Sequence, residues 1–150
     1  QKRAIIFVNG FKMKRLLGLD IGNKTIGVSV SDPLGITAQG VTTIIRASKA
    51  EDVEALKALI DKYDVEKLIV GLPKNMNNTL GFQAKRTMNY ADYLKEALDM
   101  EVIYVDERLT TSGAEAVLMQ GGVRRENRKK YVDKLAAVLI LQTYLDQMPL

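Results

Sequence analysis

Residues 16–32, LLGLDIGNKTIGVSVSD, constrain this chain more than any other stretch. An apolar run stops at Asp20, the turn-forming IGNK follows, and Ile26, Val28 and Val30 then alternate with Gly27, Ser29 and Ser31. Alternation at a period of two marks a strand. Gly22 and Asn23 are able to take the positive φ that a tight hairpin favours. The stretch therefore predicts paired antiparallel strands over 15–20 and 25–31, with a third at 40–45 after the SDPLG turn. It also leaves a carboxylate where an apolar strand ends.

Downstream the period lengthens. Ser48 and Glu51 form a capping box ahead of Val53, Leu56, Leu59, Ile60 and Tyr63, an amphipathic helix. KLIVGLP (67–73) reads as a buried strand. A helix with Ala84, Met88, Ala91, Leu94 and Leu98 inward follows it. EVIYV (101–105) is a second buried strand, Ser112 and Glu115 cap a helix around 113–120, and a last helix covers 129–146. The order predicts an α/β fold: a mixed five-stranded sheet, three antiparallel strands then two parallel, flanked by helices. No repeat or linker interrupts it, so residues 13–150 read as one domain. Met13 reads as a natural start, which makes 1–12 an upstream or vector-derived extension. AIIFV within it is too short for a signal-peptide core, and no apolar run reaches the roughly 20 residues that span a bilayer.

What the chain lacks narrows its chemistry. With no histidine and no cysteine among 150 residues, the usual general base, the common zinc ligands and a disulfide framework are all absent. A bound metal would be hard and oxygen-ligated, such as Mg²⁺ or Mn²⁺. RRENRKK (124–130) carries five basic residues and one acid, which accounts for the whole formal charge of +4. It reads as a solvated loop or as a phosphate-binding patch.

Three acids stand where they could act together. Asp20 ends the first strand and Glu107 follows the fifth. Asp133 shares a helix face with Ala136, Ala137 and Ile140 at i+3, i+4 and i+7, beside an apolar stripe of Tyr131, Leu135, Val138 and Leu139. Small alanines let that face approach the sheet. Singly, Asp20 reads equally as a turn acid, Glu107 as a partner of Arg108, and Asp133 as a first-turn acid favoured by the helix dipole. Packed together they would repel, and a divalent cation resolves the conflict. Such ions activate water and stabilise a leaving oxygen in phosphodiester hydrolysis without histidine.

LLGLDIGNKTIGVSVSD, IVGLPKNMNNT, DERLTT and KYVDKLAAVLIL, in that order from Met13 to about Gln147, resemble the successive motifs of the YqgF-type (RuvX-like) family. This is a branch of the ribonuclease H-like fold that also holds Holliday-junction resolvases of the RuvC type. The resemblance implies a cytoplasmic nuclease that processes precursor 16S ribosomal RNA ends, or alternatively resolves four-way DNA junctions. Its partners would be structured RNA, branched DNA or ribosomal precursor particles, with no membrane, and the protein a monomer or homodimer. It places Asp20, Glu107 and Asp133 as the acidic triad that holds Mg²⁺ or Mn²⁺. Two departures stand out: Gly71, Leu72 and Pro73 occupy the end of the fourth strand, where many relatives of the fold carry an acid, and Ala136 replaces a further acid of the RuvC type. Asp106 is a substitute ligand.

The residues expected to meet nucleic acid are Gly22, Lys24, Thr25, Lys74, Asn75, Asn77, Arg108, Arg124, Arg125, Arg128, Lys129 and Lys130. Gly22, Asn75 and Asn77 read equally as turn residues. Two other readings are a non-catalytic binding module of the same fold, and the first phosphate motif of an actin-like ATPase or sugar kinase. The latter needs two such halves, and this length supplies one.

Overall fold

A computed structural model describes residues 14–73, 81–106 and 125–148, with side chains from residue 134 onward in the last segment. Five strands appear in chain order: β1 (Arg15–Ile21), β2 (Thr25–Ser31), β3 (Ala38–Ile45), β4 (Val65–Leu72) and β5 (Glu101–Asp106). The helices are α1 (Lys49–Tyr63), α2 (Phe82–Leu98) and α3 (Arg125–Gln147). The sheet order is β3-β2-β1-β4-β5. β1 pairs antiparallel with β2, and β2 with β3. β4 lies parallel to β1 on the other side, and β5 parallel to β4. This is the mixed sheet that the sequence order predicts.

Strand alternation divides the sheet into two faces. Leu17, Leu19, Ile26, Val28, Leu68 and Val70 point to one side and pack with Val53 and Leu56 of α1 and Ala91 and Leu94 of α2. Leu16, Ile69 and Val105 point to the other and pack with Ile140, Leu141 and Leu145 of α3. Covering both faces explains why β2 is buried along nearly its whole length. Ser29 and Ser31, alternating like solvent-facing residues, are instead 0% and 1% exposed. Each hydroxyl has a partner, as burial requires. Ser29 Oγ donates to the Ala137 carbonyl at 2.7 Å, and Ser31 Oγ accepts from the Leu16 amide at 2.8 Å.

The local signals hold at the element ends. Ser48 Oγ accepts from the Glu51 amide and donates to the Glu51 carboxylate, closing the capping box. α1 and α2 end on Asp64 and Asp99 in the left-handed conformation, which short polar side chains tolerate. The hairpin differs from expectation. Among the described residues the positive-φ positions are Asp64, Asp99 and Gly35, so neither Gly22 nor Asn23 uses it. The Gly22 amide donates to the Thr25 carbonyl at 2.8 Å, and the Lys24 carbonyl accepts from the Arg46 amide at 2.9 Å. The turn is held from outside, by the end of β3.

Two helix faces also differ in detail. The stripe of α3 that packs on the sheet is Ala136, Ala137, Ile140, Leu141 and Leu145, while Leu135, Val138 and Leu139 are only half-buried. In α2, Thr87 and Tyr90 are buried and Met88 is intermediate. The predicted helix around 113–120 and its Ser112–Glu115 cap lie outside the described residues, as does the segment 1–13.

Candidate functional site

Gly18 sets how closely α3 approaches the sheet. A Cβ built there would fall 2.3 Å from Ser29 Oγ, 2.8 Å from Leu141 Cβ and 3.0 Å from the Ala137 carbonyl, so no side chain fits between β1 and α3. Leu145 packs with Leu16, toward the start of β1. Gln142 grips β3, accepting from the Ala38 amide and donating to the Ile36 carbonyl, both at 2.9 Å. Lys134 lies beyond, against Gly40. These contacts run α3 antiparallel to β1, so the N-terminal half of the helix heads for the strand's C-terminal end.

That end carries Asp20. It is half-buried, pairs with Gly27, and lies two residues past Gly18 on the same sheet face. Two strand residues advance about 6.7 Å. Asp133 lies in α3, four residues before Ala137, and one helical turn also advances about 6 Å. From the crossing at Gly18 and Ala137, the backbone of the helix and that of the strand thus lead by similar steps toward these two acids. Leu19 pairs with Val70, and Gly71 with Val105, so the row beside Asp20 continues through Gly71 to Val105. β1, β4 and β5 end on one rim.

The other expected residues divide by position. Asp106 closes β5 opposite Leu72. Alternation with Val102 and Tyr104, which pack toward α1 and α2, gives it to the face opposite Asp20. Lys24 and Thr25 sit at the β1–β2 turn beside the rim, and the Gly22 amide is already committed to Thr25. Arg125, Arg128, Lys129 and Lys130 belong to the first turns of α3 rather than to a loop before it. Lys74, Asn75, Asn77, Glu107, Arg108 and Arg124 lie outside the described residues. Among the described residues no three acids form a metal-binding group.

A second polar cluster went unnoticed in the sequence. Asp52, in the first turn of α1, is 2% exposed. Its carboxylate accepts from the Tyr90 hydroxyl at 2.8 Å and from the Ala47 amide at 2.9 Å, and stands 3.8 Å from Arg46 Nε. The Arg46 guanidinium lies over the Tyr90 ring at 4.1 Å and donates to the Gly22 carbonyl. Burial, and then the hydrogen bond and charge of Asp52, push the Tyr90 hydroxyl well above its ordinary pKa. The cluster ties the β1–β2 turn to α1 and α2 from the face away from α3. An acid in a helix's first turn, four residues before its first buried leucine, carries no sequence mark of burial, because first-turn acids are ordinarily solvated.

A mixed sheet with α3 laid across β1 is the ribonuclease H-like arrangement of the RuvC-type resolvases. The protein in "T. thermophilus RuvC in complex with Holliday junction substrate" superposes with a TM-score of 0.56 at 13% identity, over 90% of this chain and 98% of that one. The fowlpox virus resolvase, solved with Holliday junction DNA, superposes at 0.51 and 14% identity, over 88% and 97%. The family described as "RuvX: Holliday junction resolvase" matches residues 14–147, and the chain belongs to that family. A Clostridium botulinum relative named "Putative pre-16S rRNA nuclease" is 52% identical over 89% of this chain and 98% of its own length. A Clostridium kluyveri relative of the same name is 53% identical over the same shares.

Proposed function

We propose that this protein is a divalent-metal-dependent nuclease of the cytoplasm, hydrolysing phosphodiester bonds at the ends of precursor 16S ribosomal RNA, with Asp20, Glu107 and Asp133 as its ligand set. The observation that carries the reading is the antiparallel passage of α3 over β1 at Gly18. It leads the helix backbone from Ala137 toward the strand end where Asp20 stands; Asp133 comes four residues before Ala137 on that helix, and Glu107 is next in sequence after Asp106, the last residue of β5. The family and the names of the clostridial relatives support the substrate class.

The donor set fits a hard cation: carboxylate oxygens only, in a chain with no histidine or cysteine. When bound, Mg²⁺ or Mn²⁺ supplies an acidified water and neutralises charge on the leaving oxygen. The chain's own part is to bring the acids together. Asp20 is fixed by the β1–β2 ladder, and Asp133 rides on a helix that Gly18 and Ser29 hold against the sheet. Asp106, on the other face, is left out of the set. Arg125, Arg128, Lys129 and Lys130, in the helical turns just before Asp133, supply positive charge for the strand being cut.

Side-by-side cleavage of a precursor 16S RNA and a four-way DNA junction tests the reading. The wild type cuts the RNA with Mg²⁺ and stops with EDTA, and Asp20→Asn cuts neither. Cleavage by Asp20→Asn at the wild-type rate would overturn it. The family's description favours junction resolution as the second reading. A twofold dimer that cuts the junction in preference to RNA would establish that instead, since symmetric incision needs two sites. A protein that binds both and cuts neither would be a binding module.

A further inference from the structure

Arg46, the first residue after β3, holds the turn that follows Asp20 at two places. Its guanidinium donates to the Gly22 carbonyl, and its backbone amide donates to the Lys24 carbonyl. We propose that Arg46 is a positioning residue for substrate. By these two bonds it sets the β1–β2 turn so that Lys24 meets a phosphate of the nucleic-acid strand beside Asp20, and the buried Asp52 and Tyr90 keep Arg46 in place.

The turn does not set its own shape. None of Gly22, Asn23 and Lys24 takes the positive φ that short, self-supporting hairpin loops use. Two of its three carbonyls are instead held by one residue from outside. That residue is itself fixed. The Arg46 guanidinium lies 4.1 Å from the Tyr90 ring centroid, and its Nε stands 3.8 Å from the Asp52 carboxylate. Asp52 in turn accepts from the Tyr90 hydroxyl and the Ala47 amide. Tyr90 therefore anchors the pair twice, by its ring face and by its hydroxyl, and a planar guanidinium so stacked keeps little rotamer freedom. Such an arrangement is an expensive way to join two helices. Bringing a carboxylate to 2% exposure is unfavourable, and apolar side chains of similar volume would pack there as well or better. The ion pair adds what apolar packing lacks, a donor fixed in direction on a backbone carbonyl.

Position gives that direction a use. Asn23 and Lys24 are exposed, and they come three and four residues after Asp20, where β1 reaches the rim. A lysine ammonium is a point charge on a flexible stem, so the place it serves is set by its backbone. With its carbonyl held by Arg46, Lys24 stays beside the strand end that carries Asp20. Only the identity of the ligand as nucleic acid rests on the nuclease reading; the fixing of the turn does not.

Two measurements on the full-length protein separate these claims. In the first, amide exchange is compared between the wild type and Arg46→Lys, which keeps the charge but not the planar fork. Exchange at Gly22 and at position 46 should accelerate about fivefold, while Leu19 and Val28 in the ladder keep their protection. In the second, anisotropy in EDTA measures binding of a labelled single-stranded RNA carrying a precursor 16S end, so that nothing is cut. Lys24→Ala weakens binding about fivefold at low salt and lowers the salt slope by about 0.7. Arg46→Lys, at unchanged net charge, produces the same two losses, as does Asp52→Asn, and the Lys24→Ala, Arg46→Lys double variant loses no more than either alone. Additive losses would make Arg46 a phosphate contact in its own right and overturn the proposal. An Arg46→Lys protein that melts lower yet binds RNA like the wild type would overturn it too, as would wild-type binding by Lys24→Ala. Coupled losses in a protein whose wild type cleaves no nucleic acid would sink the nuclease reading alone.

Discussion

A single missing side chain controls the approach of α3. At Gly18 the nearest atoms belong to Ser29, Leu141 and the backbone of Ala137, and backbone does not swing aside as a flexible side chain does. Gly18→Ala therefore pushes α3 off the sheet. We expect a loss of about 1–3 kcal/mol in denaturant melts, with cleavage reduced further than the folded fraction explains, because the helix carrying Asp133 is displaced. Tyr90 offers a second residue-scale test. Its folded pKa lies above the unfolded value near 10, so the folded state holds that proton more tightly. The stability this contributes is intact below about pH 10 and declines as pH rises beyond it. Tyr90→Phe reduces the alkaline dependence in pH-resolved melts and leaves the part that Tyr104 contributes, whose hydroxyl burial also pushes up. It also costs about 1–3 kcal/mol at pH 7, since Asp52 loses a buried donor.

At the scale of elements, the ends carry the local information. Ser48→Ala opens the capping box of α1 and should lower stability by about 1 kcal/mol, read as a reduced denaturation midpoint with an unchanged m-value. The turn between β2 and β3 depends on Asp32. Burial acts to raise its pKa, but hydrogen bonds from the Ile36 amide, Thr37 and Gly35 outweigh that and hold the carboxyl below its ordinary value. The sign follows: the turn's contribution is full above the unfolded pKa near 3.9 and is lost as pH falls through the lower folded value. Amide exchange at Ile36 and Thr37 should accelerate in that acid range before the sheet itself opens. Gly35, at φ 72°, is the residue of this loop that needs its missing Cβ.

For the whole molecule, one sheet separates two apolar cores, and each serves a different part of the rim. The core with α1 and α2 supports the β1–β2 turn through Arg46, Asp52 and Tyr90. The core with α3 sets the course of the helix bearing Asp133. If the three acids share a cation, the metal-free protein bears their repulsion. Calorimetry should then show Mg²⁺ raising the Tm, by an amount equivalent to about 2.7 kcal/mol at a hundred times its Kd. Asp20→Asn should raise the metal-free Tm and abolish the Mg²⁺ response. A protein without a shared site would show neither change.

Local spacing alone determined the kinds of element here. The alternation of 25–31, the capping box at Ser48 and the close-packing face of Ala136, Ala137 and Ile140 were all readable, because period and capping depend on neighbours within about a turn. The absence of histidine and cysteine was equally plain. Burial of Ser29 and Ser31 was not, since a strand covered on one face and a strand covered on both can share one alternation. Nor was the cluster of Arg46, Asp52 and Tyr90, whose members come from the end of β3, α1 and α2. Tertiary structure decided the direction in which α3 crosses β1, through contacts more than a hundred residues apart such as Ser29 to Ala137. No local pattern encodes such a crossing; it is chosen by which faces pack closely enough to exclude water.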